Sequence, residues 1–176
     1  MSRSTISTFK IFEMFPDQEA ARLYLESRLW PDGPVCSVCS GERITTRKAG
    51  TYHCNACNED FTVRTGTIFE RSHIPLHKWL YAMYLILTAR KSVSSLQMAK
   101  EIGITQKSAW FMLHRIREAC GDATTMLSGD VEIERSEAEM KPPKPLVEMI
   151  DKVLAYRPKP KSKAAKKRKR RAAKVG

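Results

Sequence analysis

A chain of 176 residues, 42% of them hydrophobic, is long and apolar enough for one ordinary domain or two small ones. Its net charge of +12 points to a polyanionic partner, and the excess is local: residues 157–176 hold eleven basic and no acidic side chains, and residues 64–118 hold nine against three. The longest apolar run, Trp79 to Leu87, is far below a bilayer span and Met1 to Phe9 lacks the apolar stretch of a secretory signal, so a membrane partner is excluded and a cytoplasmic setting expected.

The first predicted helix runs from about Pro16 to Leu29. Pro16 suits a first turn, Asp17 and Glu19 favour the positive helix end, and Ala20, Leu23, Tyr24 and Leu29 can share a face. Trp30-Pro31-Asp32-Gly33-Pro34 stops it and delivers the chain to Cys36. The helix is expected to pack on the small cysteine-bearing ribbon beyond it.

In that ribbon Cys36, Cys39, Cys54 and Cys57 stand as two C-x2-C pairs separated by fourteen residues. Each pair on a tight turn can supply one edge of a tetrahedron, closing a four-thiolate shell with zinc–sulfur bonds of about 2.3 Å and no open ligand position. One structural Zn2+ per chain is therefore expected. Disulfides are the alternative, disfavoured by the absence of a secretory signal. Between the pairs, Arg43–Arg47 and Thr51–Cys54 read as strands joined by Lys48-Ala49-Gly50, with Asp60–Val63 as a third. So small a sheet buries too little apolar surface to stand without the metal. His53 reads as a ribbon surface residue, since four thiolates already complete the shell, and Cys120 as a plain packed or surface thiol.

A second helix is predicted from about Leu76 to Arg90, with Leu76, Trp79, Leu80, Met83, Tyr84 and Leu87 forming an amphipathic core stripe. His73 and His77 flank its start as capping or surface residues. In segment 95–114, Ala99, Gly103 and Ala109, with apolar Met98, Ile102, Ile104 and Met112, match helix-turn-helix spacing. Ala99 is small where two helices cross, Gly103 permits the turn, and Ile102 and Ile104 bury it. Ser94 or Ser95 can cap the first helix and Thr105 the second, from about Gln106 to Ala119. That second helix would enter a DNA major groove, presenting Gln106, Lys107 and Ser108 to base edges, with Arg115 further along. A generic three-helix packing unit is the alternative, made weaker by the basic surroundings.

Beyond it, Met140 to Tyr156 can form a short amphipathic helix with Leu146, Met149, Ile150, Val153 and Leu154 on one face, suited to docking or self-association. The tail from Arg157 is expected to be disordered, and its run Lys167, Arg168, Lys169, Arg170 and Arg171 to bind phosphates without sequence preference. A tail that serves only solubility is the plainer reading.

Residues 10–133 resemble bacterial insertion-sequence transposases that carry a zinc ribbon and a helix-turn-helix before a DDE-type catalytic domain. The resemblance rests on the cysteine quartet, on FTVRTGTIFERSHIPLHKWLYAMYLI at residues 61–86, on SAWFMLHRIREA at residues 108–119 and on GDVEI at residues 129–133. It implies that these modules recognise the element's ends, while an integrase-like domain uses acidic residues and divalent metal. The pattern breaks at the first catalytic strand: Glu134 stands where the family has Asp, Arg135 where it has Glu, and Glu137 where it has an aromatic residue. Only 42 residues follow Glu134, too few for the sheet that holds a two-metal site, and Glu132, Glu134, Glu137 and Glu139 read as a solvated acidic face.

The fold class expected is a small α+β zinc ribbon, residues 10–64 with its leading helix, followed by an all-α helix-turn-helix domain at 65–122, a linker with a strand remnant and short helix at 123–156, and a disordered basic tail at 157–176. The expected function is zinc-dependent binding of double-stranded DNA at element terminal repeats without catalysis, in a nucleoid-associated bacterial protein able to self-associate or join a full-length transposase. The alternatives are an active transposase completed by another frame or chain, a zinc-ribbon transcription regulator, and a nonfunctional remnant.

Overall fold

The computed structural model describes residues 8–89, 92–121 and 142–157. The chain divides into two compact units, Met1–Ala21 with His73–Val153 and Arg22–Ser72 with Leu154–Gly176. The expected strand remnant at 129–133, the acidic residues Glu134, Glu137 and Glu139, and the basic run 167–171 lie outside the described residues.

Arg22–Ser72 holds most of helix α2 (Gln18–Leu29) and a three-stranded antiparallel sheet of β1 (Ile44–Lys48), β2 (Thr51–Cys54) and β3 (Glu59–Phe61), in the order β1-β2-β3. Helix α2 starts two residues after Pro16 because the Asp17 carboxylate accepts the Ala20 N–H at 2.7 Å, which makes Asp17 the cap rather than a first-turn acid. Its buried face also differs from the expected one: Ala21 and Leu25 are buried, while Leu23 is 54% exposed. Packing against the ribbon is observed. Glu26 accepts from the Tyr52 hydroxyl at 3.0 Å and pairs with Arg22, and burial together with the Glu26 carboxylate raises the Tyr52 pKa. At the helix end the Trp30 ring meets Tyr52 and Phe61 edge-on at 5.4 and 5.6 Å.

After β3, residues 62–72 fold on themselves through their own polar groups. Thr67 is 1% exposed and its hydroxyl donates to the Val63 and Arg64 carbonyls, Thr65 Oγ1 accepts the Thr62 N–H, and the half-buried Arg64 donates to the Ser72 carbonyl at 2.8 Å. These bonds let Val63, Ile68 and Phe69 be buried in a segment without regular structure.

The helical unit contains α1 (Thr8–Met14), which composition does not announce, α3 (Leu76–Thr88), α4 (Ser95–Ile102), α5 (Gln106–Cys120) and α6 (Lys144–Ala155), whose last two residues fall in the other unit. Helix α3 is the post: Trp79, Leu80, Ala82 and Met83 are fully buried, and it touches α1, α4 and α5. The expected stripe is thus real but incomplete, since Tyr81 and Ala82 are buried too. In α6 the expected face is buried as read, with Leu146, Met149, Ile150 and Val153 at 1% exposure or less.

Helices α4 and α5 meet at a three-residue turn. Ser94 Oγ accepts the Gln97 N–H at 3.1 Å and Thr105 Oγ1 the Ser108 N–H at 3.3 Å, so each helix has a side-chain cap. Gly103 ends α4 in the left-handed region at φ 65°, ψ 54°, and the Ile104 N–H returns to the Ala99 carbonyl at 3.1 Å. Met98, Ala99, Ile102, Ala109 and Met112 are buried as the spacing predicts, whereas Ile104 is only half-buried.

A Cβ at Gly103 would meet nothing within 4 Å, so Gly103→Ala isolates the backbone cost of that conformation. We expect a loss of about 1 kcal/mol or more from Gly103→Ala, and about 1 kcal/mol from each of Ser94→Ala and Thr105→Ala. Denaturant midpoints of the helical circular-dichroism signal check this; an unchanged midpoint for Gly103→Ala would contradict a left-handed turn.

Candidate metal centre

The cysteine pairs lie on two turns of the same shape. In the first, the Ser40 N–H bonds the Cys36 carbonyl at 2.9 Å with Ser40 at φ 57°; in the second, the Asn58 N–H bonds the Cys54 carbonyl at 2.8 Å with Asn58 at φ 56°. Each turn aims backbone N–H groups at the sulfur of its first cysteine: those of Val38, at 3.4 Å, and Cys39 at Cys36, and those of Ala56 and Cys57 at Cys54. The register of β2, pairing Ile44 with Cys54 on one side and Cys54 with Glu59 on the other, brings the turns together.

All four sulfur atoms lie within 4.8 Å of one another, with Cys36–Cys57 at 3.6 Å and Cys39–Cys54 at 3.5 Å. A tetrahedron with bonds of about 2.3 Å has edges of roughly 3.8 Å, so the donors fit one zinc ion. Cys36 and Cys54 are buried, Cys39 and Cys57 half-buried, and all four are free of disulfides. Gly41 stands close to this cluster: a Cβ there would sit 3.3 Å from the Cys39 sulfur and 3.3 Å from the Ala56 Cβ, so a side chain would press its neighbours apart by a few tenths of an ångström. Four thiolates around one ion leave no open position for a reacting group, so the metal is structural.

Protonation follows the same geometry. Burial pushes the Cys36 thiol up, and in Cys57 burial and the neighbouring thiols act in the same direction. Burial also raises Cys54, but the N–H groups of Cys57 and Ala56 and the Cys39 thiol outweigh it and bring Cys54 to about 7. Those N–H groups favour the thiolate, the form that binds metal.

The surroundings settle the neighbouring histidine. His53 Nδ1 lies 2.7 Å from Asp60 Oδ1, its cross-strand partner, and Arg47 approaches the same carboxylate at 3.5 Å, so the His53 ring is engaged by Asp60 and stands outside the cysteine cluster. Buried Cys120 is pushed up by burial, with Lys152 acting against it.

Residues 16–60 match the family model described as a transposase zinc-ribbon domain, of the IS1595 type. Residues 16–60 thus form a zinc ribbon of the transposase type. The chain is also 31% identical over 122 residues to an uncharacterized protein in the transposable element ISH50 of Halobacterium salinarum, a match covering 67% of this chain and 40% of the relative, so the chain spans about two fifths of that relative's length. No solved structure matches.

Outside the matched segment lie the residues expected to meet DNA. Gln106 and Lys107 are exposed in the first turn of α5, and Ser108 is half-buried, with its hydroxyl 2.9 Å from that of Thr105. Arg115 is half-buried with its guanidinium 4.2 Å from the Phe111 ring centre, a cation–π contact. Lys167, Arg168, Lys169, Arg170 and Arg171 are outside the described residues. Gly41 and the Glu26–Tyr52 bond are parts of the ribbon that the sequence reading passed over; the fifth position after Cys36, adjoining the knuckle, is the signal that marks Gly41. Among the described residues, no helix is long and apolar enough to cross a membrane.

Native protein is expected to contain one zinc ion per chain. Elemental analysis should find none retained after Cys54→Ser with Cys57→Ser, and chelation should unfold the ribbon while sparing the helices from Leu76 onward. A folded ribbon with no zinc, seen by dispersion of its amide resonances, contradicts the assignment.

Proposed function

We propose that this chain binds double-stranded DNA at the terminal repeats of an insertion element, with its zinc ribbon as one module and α4–α5 as a helix-turn-helix, and that it does not itself cut or join DNA. The observation that carries the reading is the transposase zinc ribbon with its closed four-sulfur site. The helical part has independent support. Helix α5 begins on a side-chain cap after a left-handed glycine turn and exposes Gln106 and Lys107, and residues 64–118 carry nine basic against three acidic side chains. Gln can pair with adenine and Lys with guanine or phosphate. The basic tail with Lys167, Arg168, Lys169, Arg170 and Arg171 adds phosphate neutralisation that is blind to sequence. A cytoplasmic, nucleoid-associated setting belongs to the same proposal.

The non-catalytic part rests on the sequence at the first catalytic strand, where Glu134 and Arg135 replace the family's Asp and Glu. A second reading, an active transposase completed by another chain, draws on the relative, 60% of which lies beyond the match that covers 40% of its length. In either reading the chain associates with itself or with a full-length transposase at the element ends.

Gln106→Ala and Lys107→Ala should relax sequence preference, each lost base contact costing about 1–3 kcal/mol, whereas deleting 157–176 should weaken binding to all duplexes and flatten its salt dependence. Binding-site selection and then salt titration separate the two effects. If the deletion removes preference and the helix substitutions leave it intact, α5 is not the reading element.

With Mg2+ or Mn2+, the purified chain is expected to bind element-end duplex without nicking or joining it, because in-line phosphoryl transfer needs several metal-holding carboxylates in fixed geometry. Strand transfer that disappears on Glu134→Ala overturns the non-catalytic assignment and supports the second reading.

A further inference from the structure

Helix α5 has two sharply different faces. Ala109, Met112, Leu113, Ile116 and Cys120 are buried; Gln106, Lys107, Trp110, His114, Arg117 and Glu118 are exposed at helical spacing on the other side. Within this stripe Trp110 is 58% exposed, more than any other large hydrophobic side chain among the described residues. An indole left in water on an otherwise polar helix face is not explained by the core of its own unit.

The indole is also held in place. The His114 ring, one turn on, meets it at 5.0 Å between centroids and 62° between planes. Both rings line a groove of about 560 Å³ between α5 and the segment 92–95 that leads into α4, with Leu113 and Arg117 also in its wall. Arg117 Nη2 donates to the Val93 carbonyl at 3.3 Å and so ties the two walls together. An indole, with only two side-chain torsions, loses little freedom on contact with a partner.

We propose that Trp110 is a specificity-determining residue of α5, packing its indole against a thymine methyl group in the DNA major groove, with His114 holding it there. This rests on the reading of α5 as a DNA-reading helix. Charge selects the occupant: the stripe combines Lys107 and Arg117 with Gln106 against the single acid Glu118 at its far end, and residues 64–118 carry nine basic against three acidic side chains, which suits a duplex better than another protein surface. Spacing agrees as well. At about 1.5 Å rise per residue Trp110 stands roughly 6 Å along the axis from Gln106, about two base-pair steps, so both can touch the same groove segment. Apolar contact with the thymine C5-methyl is one of the ways the major groove is read. Arg115, further along the helix, lies against Phe111.

The experiment uses the full chain with zinc and a duplex selected by it from a random-sequence pool. Thymines in that duplex are replaced singly by uracil, which removes only the methyl group, and affinities are measured for wild type, Trp110→Ala, Trp110→Phe and Lys107→Ala, with circular dichroism confirming their fold. We expect at least one thymine-to-uracil change to weaken wild type by about fivefold to tenfold. Trp110→Ala should bind the two duplexes alike, and Trp110→Phe should keep most of the discrimination. Full methyl discrimination in Trp110→Ala, with preference lost in Lys107→Ala, removes Trp110 from recognition while leaving α5 as the reading helix. If no sequence is enriched and neither variant differs from wild type, the DNA-reading assignment of α5 fails and this proposal with it. A change in oligomeric state of Trp110→Ala with methyl discrimination intact assigns the face to a protein contact and overturns the proposal.

Discussion

Four sulfur atoms drawn within 4.8 Å of one another are the constraint on which the ribbon depends. Strands of five, four and three residues cannot bury enough apolar surface to hold themselves together. The two cysteine turns solve this by making the sheet's ends converge on one point, where a zinc ion supplies the free energy that a core of this size lacks. Phe61 is the large apolar side chain fully buried with Cys36 and Cys54, and the partly buried Trp30 and Tyr52 pack against it. The same closeness goes with details at first sight unrelated to metal, such as the tight space around Gly41 and the pairing of Cys54 with both neighbouring strands.

The helical unit rests on a different kind of support. Helix α3 is buried on most of its circumference, and α4 and α5 each start on a side-chain cap, with one left-handed glycine ending α4 between them. A short helix of eight residues gains little from propensity alone, so its caps and its packing, chiefly on α5 and also on α3, carry it. The consequence for α5 is that its buried face fixes its rotation, and rotation decides which side chains are presented outward. The exposed stripe of Gln106, Lys107, Trp110, His114 and Arg117 is thus set by Ala109, Met112 and Ile116 on the opposite side.

Much of this was legible in the residues because the signals are local. The cysteine spacing, Ser94, Gly103 and Thr105 each act within a few positions of the chain, so their roles can be read without knowing what lies across the core. Where a segment's environment comes from elsewhere, the reading slipped. For α2 the expected face included Leu23, yet Ala21 and Leu25 are buried; a helix with so weak an apolar stripe takes its orientation from its neighbours. Helix α1 is seven residues long, and its buried Ile11 gives too little period to detect. The turn network of residues 62–72 carries no repeating pattern at all, since hydroxyls and one guanidinium satisfy its backbone.

By itself the sequence determined the metal donor set, the glycine turn and the caps of α4 and α5, because each is a matter of covalent spacing and of backbone conformation within one or two turns. Only the tertiary structure decided that Tyr52 and Trp30 join the end of α2 to the sheet, that Arg115 lies over Phe111, and that Trp110 stands in solvent. A side chain's exposure is fixed by what the rest of the chain places beside it, and at Trp110 helical periodicity leaves an aromatic residue equally suited to a core or to a surface until the opposite face of α5 is known to be filled.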